Sequence, residues 1–192
     1  MKKSILTLFG VLLFGTALPI MAQQRKGNVR STAKTVTSIP MVGPAVVDNH
    51  LAFLGLSLGE SAPQISSKLI AKGMKVDKSF DDGTSNVYLT GTIDGVQSRV
   101  MIGVTAEKTV YNLNLYDKKS YRLPQAKSRF NALITKLESI YGKGKYNTND
   151  NDRRIYHIRT AKGLVTLDLY NEDEMDGASD FYCICISFSE NF

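Results

Sequence analysis

The chain has 192 residues, 43% of them hydrophobic, with 24 Lys and Arg against 18 Asp and Glu. Much of the formal charge of +6 lies near the start, because residues 51–192 hold 18 basic and 17 acidic side chains. A region this close to neutral lacks the basic surface that nucleic-acid binding needs, so nucleic acid is not a predicted partner.

Residues 1–22 have the pattern of a secretory signal peptide. Lys2 and Lys3 precede an apolar run over residues 5–18, and the small Ala22 ends the segment. The run is shorter than the ~20 apolar residues that a membrane-spanning helix needs. Residues 23–50 are polar with little periodicity, which predicts a flexible lead. We expect a periplasmic or secreted protein with no transmembrane segment once the signal is removed.

A short buried strand is predicted at residues 51–56, followed by a helix. Ser61 and Gln64 match a capping box, and Gly73 supplies the left-handed residue that commonly ends a helix. The predicted apolar face of this helix consists of Ala62, Ile65, Leu69 and Ile70.

Four strands are predicted after that helix, with a turn at residues 81–83. The strands are residues 74–80, 87–93, 99–104 and 111–116. The last three alternate apolar and polar side chains, the period-two pattern of half-buried strands. Asp94 and Gly95 are a two-residue hairpin signal, because both positions must adopt positive φ.

The second half of the chain repeats this order. A helix is predicted from Pro124 to Tyr141, and Gly142 ends it. Its apolar stripe is Ala126, Phe130, Leu133, Ile134, Leu137, Ile140 and Tyr141. A polar loop is predicted at residues 147–152 and an acidic loop at 172–177. The strands are residues 155–159, 164–170 and 181–188, with a turn at 161–163, and the last strand is expected to be central or covered.

The two halves have matched spacing. The helix-ending glycines, Gly73 and Gly142, are 69 residues apart, and the turn glycines, Gly95 and Gly163, are 68 apart. We therefore predict one α+β domain over residues 51–192, built from two tandem helix-plus-four-strand repeats, about 51–117 and 118–192. The helices are expected to pack on one face of an antiparallel sheet.

Several short segments occur in a recognisable order. They are Phe53-Leu54-Gly55-Leu56, residues 69–73, Leu89-Thr90-Gly91 before Asp94-Gly95, residues 133–142, and Lys162-Gly163. This order resembles a family of uncharacterised secreted proteins from Bacteroidales-type bacteria. The family's fold is similar to that of the β-lactamase-inhibitor protein and, more distantly, the TATA-binding protein. The resemblance covers residues 51–192 and implies one curved sheet with an open face. It implies no catalytic residues.

Catalytic and metal sites find little support in the sequence. Cys183 and Cys185 are two residues apart on one strand, so they point to the same face and suit unbridged, buried thiols rather than a disulfide. His157 could act with either thiol, but no nucleophile motif accompanies it. The acidic side chains of residues 172–176 lack the order of a calcium loop. We predict no cofactor, no metal and no enzymatic activity.

Charge is distributed unevenly within the domain. Residues 118–159 hold 11 basic and 3 acidic side chains, whereas residues 164–192 hold 7 acidic and none basic. We favour two solvated faces that attract each other in the fold. The alternative is an anionic and a cationic patch used for partner selection.

The strand residues that alternate with the apolar ones form the candidate binding face. They are Tyr88, Arg99, Met101, Asn112, Asn114, Tyr116, His157, Arg159, Asp168 and Tyr170. Tyr, Arg and Met are enriched at protein interfaces, although a solvated sheet face with ordinary cross-strand pairs would contain the same types. The leading hypothesis is a non-enzymatic, inhibitor-like module that binds an exported or envelope protein. A small-ligand or cell-envelope carbohydrate binder is the alternative, and a hydrolase is a weaker one.

Overall fold

A computed structural model describes residues 50–79, 83–150, 153–171 and 180–190. The strands are β1 (Ala52–Phe53), β2 (Leu56–Ser57), β3 (Lys75–Val76), β4 (Val87–Ile93), β5 (Val96–Val104), β6 (Val110–Asp117), β7 (Tyr121–Arg122), β8 (Lys145–Asn149), β9 (Arg153–Arg159), β10 (Gly163–Asn171) and β11 (Phe181–Glu190). The helices are α1 (Ala62–Ala71) and α2 (Leu123–Tyr141). The predicted signal peptide, the lead before residue 50, the turn residues 81–82 and the acidic loop at 172–177 lie outside the described residues.

Within the described residues, nine strands form one antiparallel sheet. Its order is β3-β4-β5-β6-β11-β10-β9-β8, and β7 pairs with one end of β11. Strands β1 and β2 form a separate hairpin. The α+β class is therefore confirmed. Of the two positions predicted for the last strand, central or covered, β11 occupies the central one, because it pairs with both β6 and β10.

The start of the domain differs from the prediction. Residues 51–56 are not one strand, because Leu54 (φ 53°) and Gly55 (φ 76°) turn the chain into the β1–β2 hairpin. A leucine rarely adopts this left-handed conformation, which costs about 1–2 kcal/mol. Leu54 is only 4% exposed, so burial of its side chain in the core offsets that cost.

Helix α1 begins and ends as predicted. The Ser61 amide donates to Gln64 Oε1 (2.9 Å), the reciprocal contact of a capping box, and Gly73 has φ 95°. Ala62, Ile65 and Leu69 are buried, but Ile70 is 48% exposed, so its predicted place in the apolar face is wrong. Ile70 follows Leu69 by one residue, which rotates it away from the buried stripe.

Most of the predicted apolar stripe of helix α2 is buried in the core or packs against it. Ala126, Phe130, Leu133 and Leu137 are buried, while Ile134 and Tyr141 pack at the margin. Gly142 (φ 90°) follows the last turn. The Tyr141 hydroxyl donates to the Ala52 carbonyl (2.5 Å), which ties the helix to the first hairpin.

One face of the sheet forms the core. Its buried side chains are Leu89, Val100, Ile102, Leu113, Leu115, Tyr156, Ile158, Val165, Leu167, Leu169, Ile184, Ile186 and Phe188. The buried apolar residues of both helices belong to this cluster. Phe188, for example, packs against Phe53 and Tyr141, with ring centroids 4.3 and 5.8 Å apart. Both helices therefore lie against the same face.

Two predicted boundaries are wrong for identifiable reasons. The strand predicted at residues 74–80 is cut short, because Asp77 accepts hydrogen bonds from the amide and hydroxyl of Ser79 and closes a local turn. The loop predicted at residues 147–152 begins instead as strand β8. Asn is depleted in strands, but here pairing with β9 overrides that preference, with a register shift between Tyr146 and Thr148.

Candidate functional site

The strand register places all ten predicted binding residues on the face opposite α1 and α2, which we call the open face. One row across six strands is Tyr88, Met101, Asn114, Ser187, Thr166 and His157. The next row is Thr90, Arg99, Tyr116, Cys185, Asp168 and Ile155. Asn112 and Arg159 belong to a third row, and Tyr170 pairs with Cys183 and Arg153.

The ten residues differ in how far a partner could reach them. Tyr88 and Asn114 are each 7% exposed, so their neighbours largely cover them. Arg159 is exposed, and the other seven are half-buried. A protein partner would therefore contact Met101, Tyr116 and Tyr170 more readily than Tyr88.

Two ion pairs flank the centre of the open face. Arg99 Nε lies 3.1 Å from Asp77 Oδ2, and Arg153 Nη2 lies 3.0 Å from Asp168 Oδ2. Both arginines lie on the open face and are held by carboxylates of this chain. Asp168 Oδ1 is buried and has no hydrogen-bond partner among the described residues.

A tyrosine and a thiol occupy the centre between these pairs. Burial raises the pKa of Cys185 to about 12, and the charge of Asp168 acts in the same direction. Burial likewise raises the pKa of Tyr116, which is hydrogen-bonded to Cys185. Both groups are therefore neutral at physiological pH, and this centre is uncharged, as is common at the core of protein interfaces.

The histidine of the open face lies among charged neighbours. His157 faces Lys145 on β8, and Arg159 follows it on the same side of β9. Burial lowers the pKa of His157, the charge of Arg159 lowers it further, and Asp168 opposes them. Lys145 was absent from the predicted set, because it precedes the Asn-rich segment that was interpreted as a loop.

The structure does not bring the suspected catalytic groups together. His157 faces Thr166 on β10, whereas Cys185 faces Asp168 from the other side of that strand, so β10 separates imidazole from thiol. Cys183 and Cys185 lie on one face as predicted and no disulfide joins them, but they are half-buried rather than buried. Within the described ranges, no group of three or more His, Cys, Asp or Glu side chains is arranged to hold a metal ion.

A second polar site lies where the described chain begins. His50 Nδ1 is 2.8 Å from Glu190 Oε2, and the Leu51 amide donates to Glu190 Oε1 (2.7 Å). His50 and Glu190 line a groove of 310 Å³ together with Glu60 and Lys108. No local sequence pattern predicts this pair, because 140 residues separate its members.

In comparisons with protein-family models, with curated proteins and with solved structures, nothing matched this chain. Among the described residues, no helix is both long enough and apolar enough to cross a membrane.

Proposed function

We propose that the protein is an exported, non-enzymatic binding module that recognises another protein through the open face. The observation that carries this proposal is the register, which brings Met101, Tyr116 and Tyr170 onto one half-buried surface opposite the helices. Tyrosine and methionine are enriched at protein interfaces, and tyrosine is frequent among the residues that dominate binding energy. Rigid strands hold these side chains, which limits the entropy lost on association.

We further infer that the domain consists of two tandem repeats and that its sheet is curved. In support, α1 is followed in the chain by β3 to β6, and α2 by β8 to β11. The last strand of each set, β6 and β11, pair at the middle of the sheet. Across the sheet, the first set runs in chain order from β3 to β6, and the second set follows in the reverse of chain order, from β11 to β8. A concave open face on such a sheet suits an inhibitor-like contact with a convex partner.

The proposed partner is an exported or envelope protein, met in the periplasm or outside the cell. The signal-peptide pattern of residues 1–22 supports this location.

The alternative is a small polar ligand or a cell-envelope carbohydrate. The groove beside His50 favours it, because its volume of 310 Å³ lies at the lower end of the range of small-ligand sites. His50, Glu60, Lys108 and Glu190 provide donors and acceptors for hydroxyl groups. A glycan array probed with the protein and with a Glu190→Gln variant tests this alternative: selective loss of a bound glycan in the variant supports it, and no bound glycan contradicts it.

Site-specific photocrosslinking in the source organism tests the protein-binding proposal. A benzoylphenylalanine replaces Tyr170 on the open face in one variant and the 48% exposed Ile70 on α1 in a control. The proposal predicts a discrete crosslinked protein from position 170 that is absent from position 70. Equal crosslinking at both positions, or none at 170, would contradict it.

A further inference from the structure

Three basic side chains meet at one corner of the open face. Lys145 on β8 is the cross-strand neighbour of His157 on β9, and Arg159 is two residues beyond His157 on the same face. Cross-strand neighbours have Cβ atoms about 5 Å apart, and side chains two residues apart on a strand are about 7 Å apart. Lys145 and Arg159 are exposed, and His157 is half-buried. We call this group the cationic corner.

Among the described residues of the neighbouring strands, only one acidic group faces the cationic corner. Asp168 on β10 lies diagonally from His157, because it pairs with Ile155, and its Oδ2 already accepts a hydrogen bond from Arg153. Thr166, directly opposite His157, is uncharged. Like charges opposite each other on a sheet are destabilising. The corner therefore has two exposed cations beside a titratable ring and little local compensation.

We infer that the cationic corner binds an acidic segment of the protein partner, and that this contact tightens as His157 gains a proton. The inference rests on the proposed function and specifies the chemistry of the partner at that site. Carboxylates of an acidic segment would relieve the repulsion between Lys145 and Arg159, which His157 joins once its ring is protonated. Charge complementarity of this kind mainly sets partner choice and association rate.

The direction of the pH effect follows from the neighbours. Burial and Arg159 keep the pKa of His157 below its ordinary value, so the ring is neutral at pH 7.5. A bound carboxylate favours the charged ring and raises that pKa. The complex then takes up a proton on forming, so affinity increases as pH falls from 7.5 to 5.5. The partner's glutamates remain ionised over this range, since their ordinary pKa is about 4.3.

The first test uses a defined probe, a fluorescein-labelled decapeptide of alternating Glu and Ser, with a Lys–Ser decapeptide as its control. Anisotropy titrations at low salt measure binding to the purified protein. The inference predicts that only the acidic peptide binds, and that K145E and R159E each weaken it about two- to fivefold, as for exposed charge pairs. K72E, at the end of α1, changes the net charge equally and is expected to leave affinity unchanged.

The second test measures how binding of the acidic peptide depends on pH. Binding of the acidic peptide is predicted to be tighter at pH 5.5 than at 7.5 in the wild type, and H157Q is predicted to lose that difference. Absent binding, an equal effect of K72E, or an unchanged pH response in H157Q would overturn the inference. Binding to phosphatidylglycerol vesicles without binding to the peptide would also overturn it, because the corner would then serve a membrane.

Failure of this inference is distinguishable from failure of the proposed function. If position 170 crosslinks a partner but the acidic peptide does not bind at the cationic corner, only the inference fails. If position 170 crosslinks nothing, the proposed function fails whatever the peptide does.

Discussion

Arg99 Nε lies 3.1 Å from Asp77 Oδ2, so a residue of the open face is anchored to the segment that follows the edge strand β3. Asp77 is 8% exposed, and Lys118 Nζ lies 3.8 Å from the same oxygen. Hydrogen bonds from Ser79, opposed by burial and reinforced by Arg99, hold the pKa of Asp77 below its ordinary value. The carboxylate thus both closes the turn after β3 and orients Arg99.

The Asp77 site predicts a pH-dependent stability difference. Because the folded-state pKa is lowered, the carboxylate stabilises the fold above the unfolded-state pKa and loses that effect as pH falls through the folded value. Asp77→Asn should therefore lower the unfolding free energy at pH 7, and the gap to wild type should close near pH 2. Chemical denaturation at both pH values measures the difference in unfolding free energy between the variant and the wild type. Asp180→Asn, at an 82% exposed ion pair, is the control and should change nothing measurable.

His157 predicts a loss of stability in the same direction, as pH falls, but at higher pH than Asp77. The pKa of His157 is lowered in the folded state, chiefly by burial, so the unfolded chain binds its proton at a higher pH. Stability should therefore fall as pH drops below about 6.5, the unfolded-state value. His157→Gln should lack this component between pH 7.5 and 5. An identical pH profile in wild type and variant would show that the ring is not desolvated as described.

Cys185 is predicted to be an inert thiol. With a pKa of about 12, only about one molecule in ten thousand carries the reactive thiolate at pH 8. In a Cys183→Ala background, iodoacetamide should label folded Cys185 at least about a hundredfold more slowly than the guanidinium-unfolded chain. Mass spectrometry over time follows the reaction. Comparable rates in the two states would contradict the raised pKa of this thiol.

Substitution of Leu133 tests whether the apolar stripe of α2 is buried in the core. Leu133 is 1% exposed, so Leu133→Ala should lower the unfolding free energy by about 2–5 kcal/mol. Asn131→Ala, at an exposed position on the same helix, should stay within about 0.5 kcal/mol of wild type. Urea denaturation compares the three proteins. Equal effects of both substitutions would show that Leu133 does not belong to the buried stripe of α2.

Local patterns were enough to predict both helices and most of the long strands. The spacing of three and four in α2 and the alternation in β10 each specify a face, because the helical and strand periods fix where side chains point. Asp94 and Gly95 both have positive φ, as their turn chemistry required. The same alternation explains why all ten predicted residues share the open face.

Tertiary effects explain what the sequence did not reveal. Leu54 adopts a left-handed backbone because its side chain is buried, and β8 includes Asn147 because β9 lies beside it. The low exposure of Tyr88 and Asn114 depends on neighbours from other strands, which no local pattern specifies. The His50–Glu190 pair likewise joins residues that only the completed fold brings together.

The most direct measurement is the dissociation constant of the partner identified by crosslinking, for wild type, Tyr170→Ala and Ile70→Ala. Truncating an interface tyrosine commonly weakens binding by about tenfold or more. The proposal predicts that loss for Tyr170→Ala and no change for Ile70→Ala, with both variants folded by circular dichroism. Unchanged affinity for Tyr170→Ala alongside a loss for Ile70→Ala would place the binding surface on the helical side and contradict the role assigned to the open face.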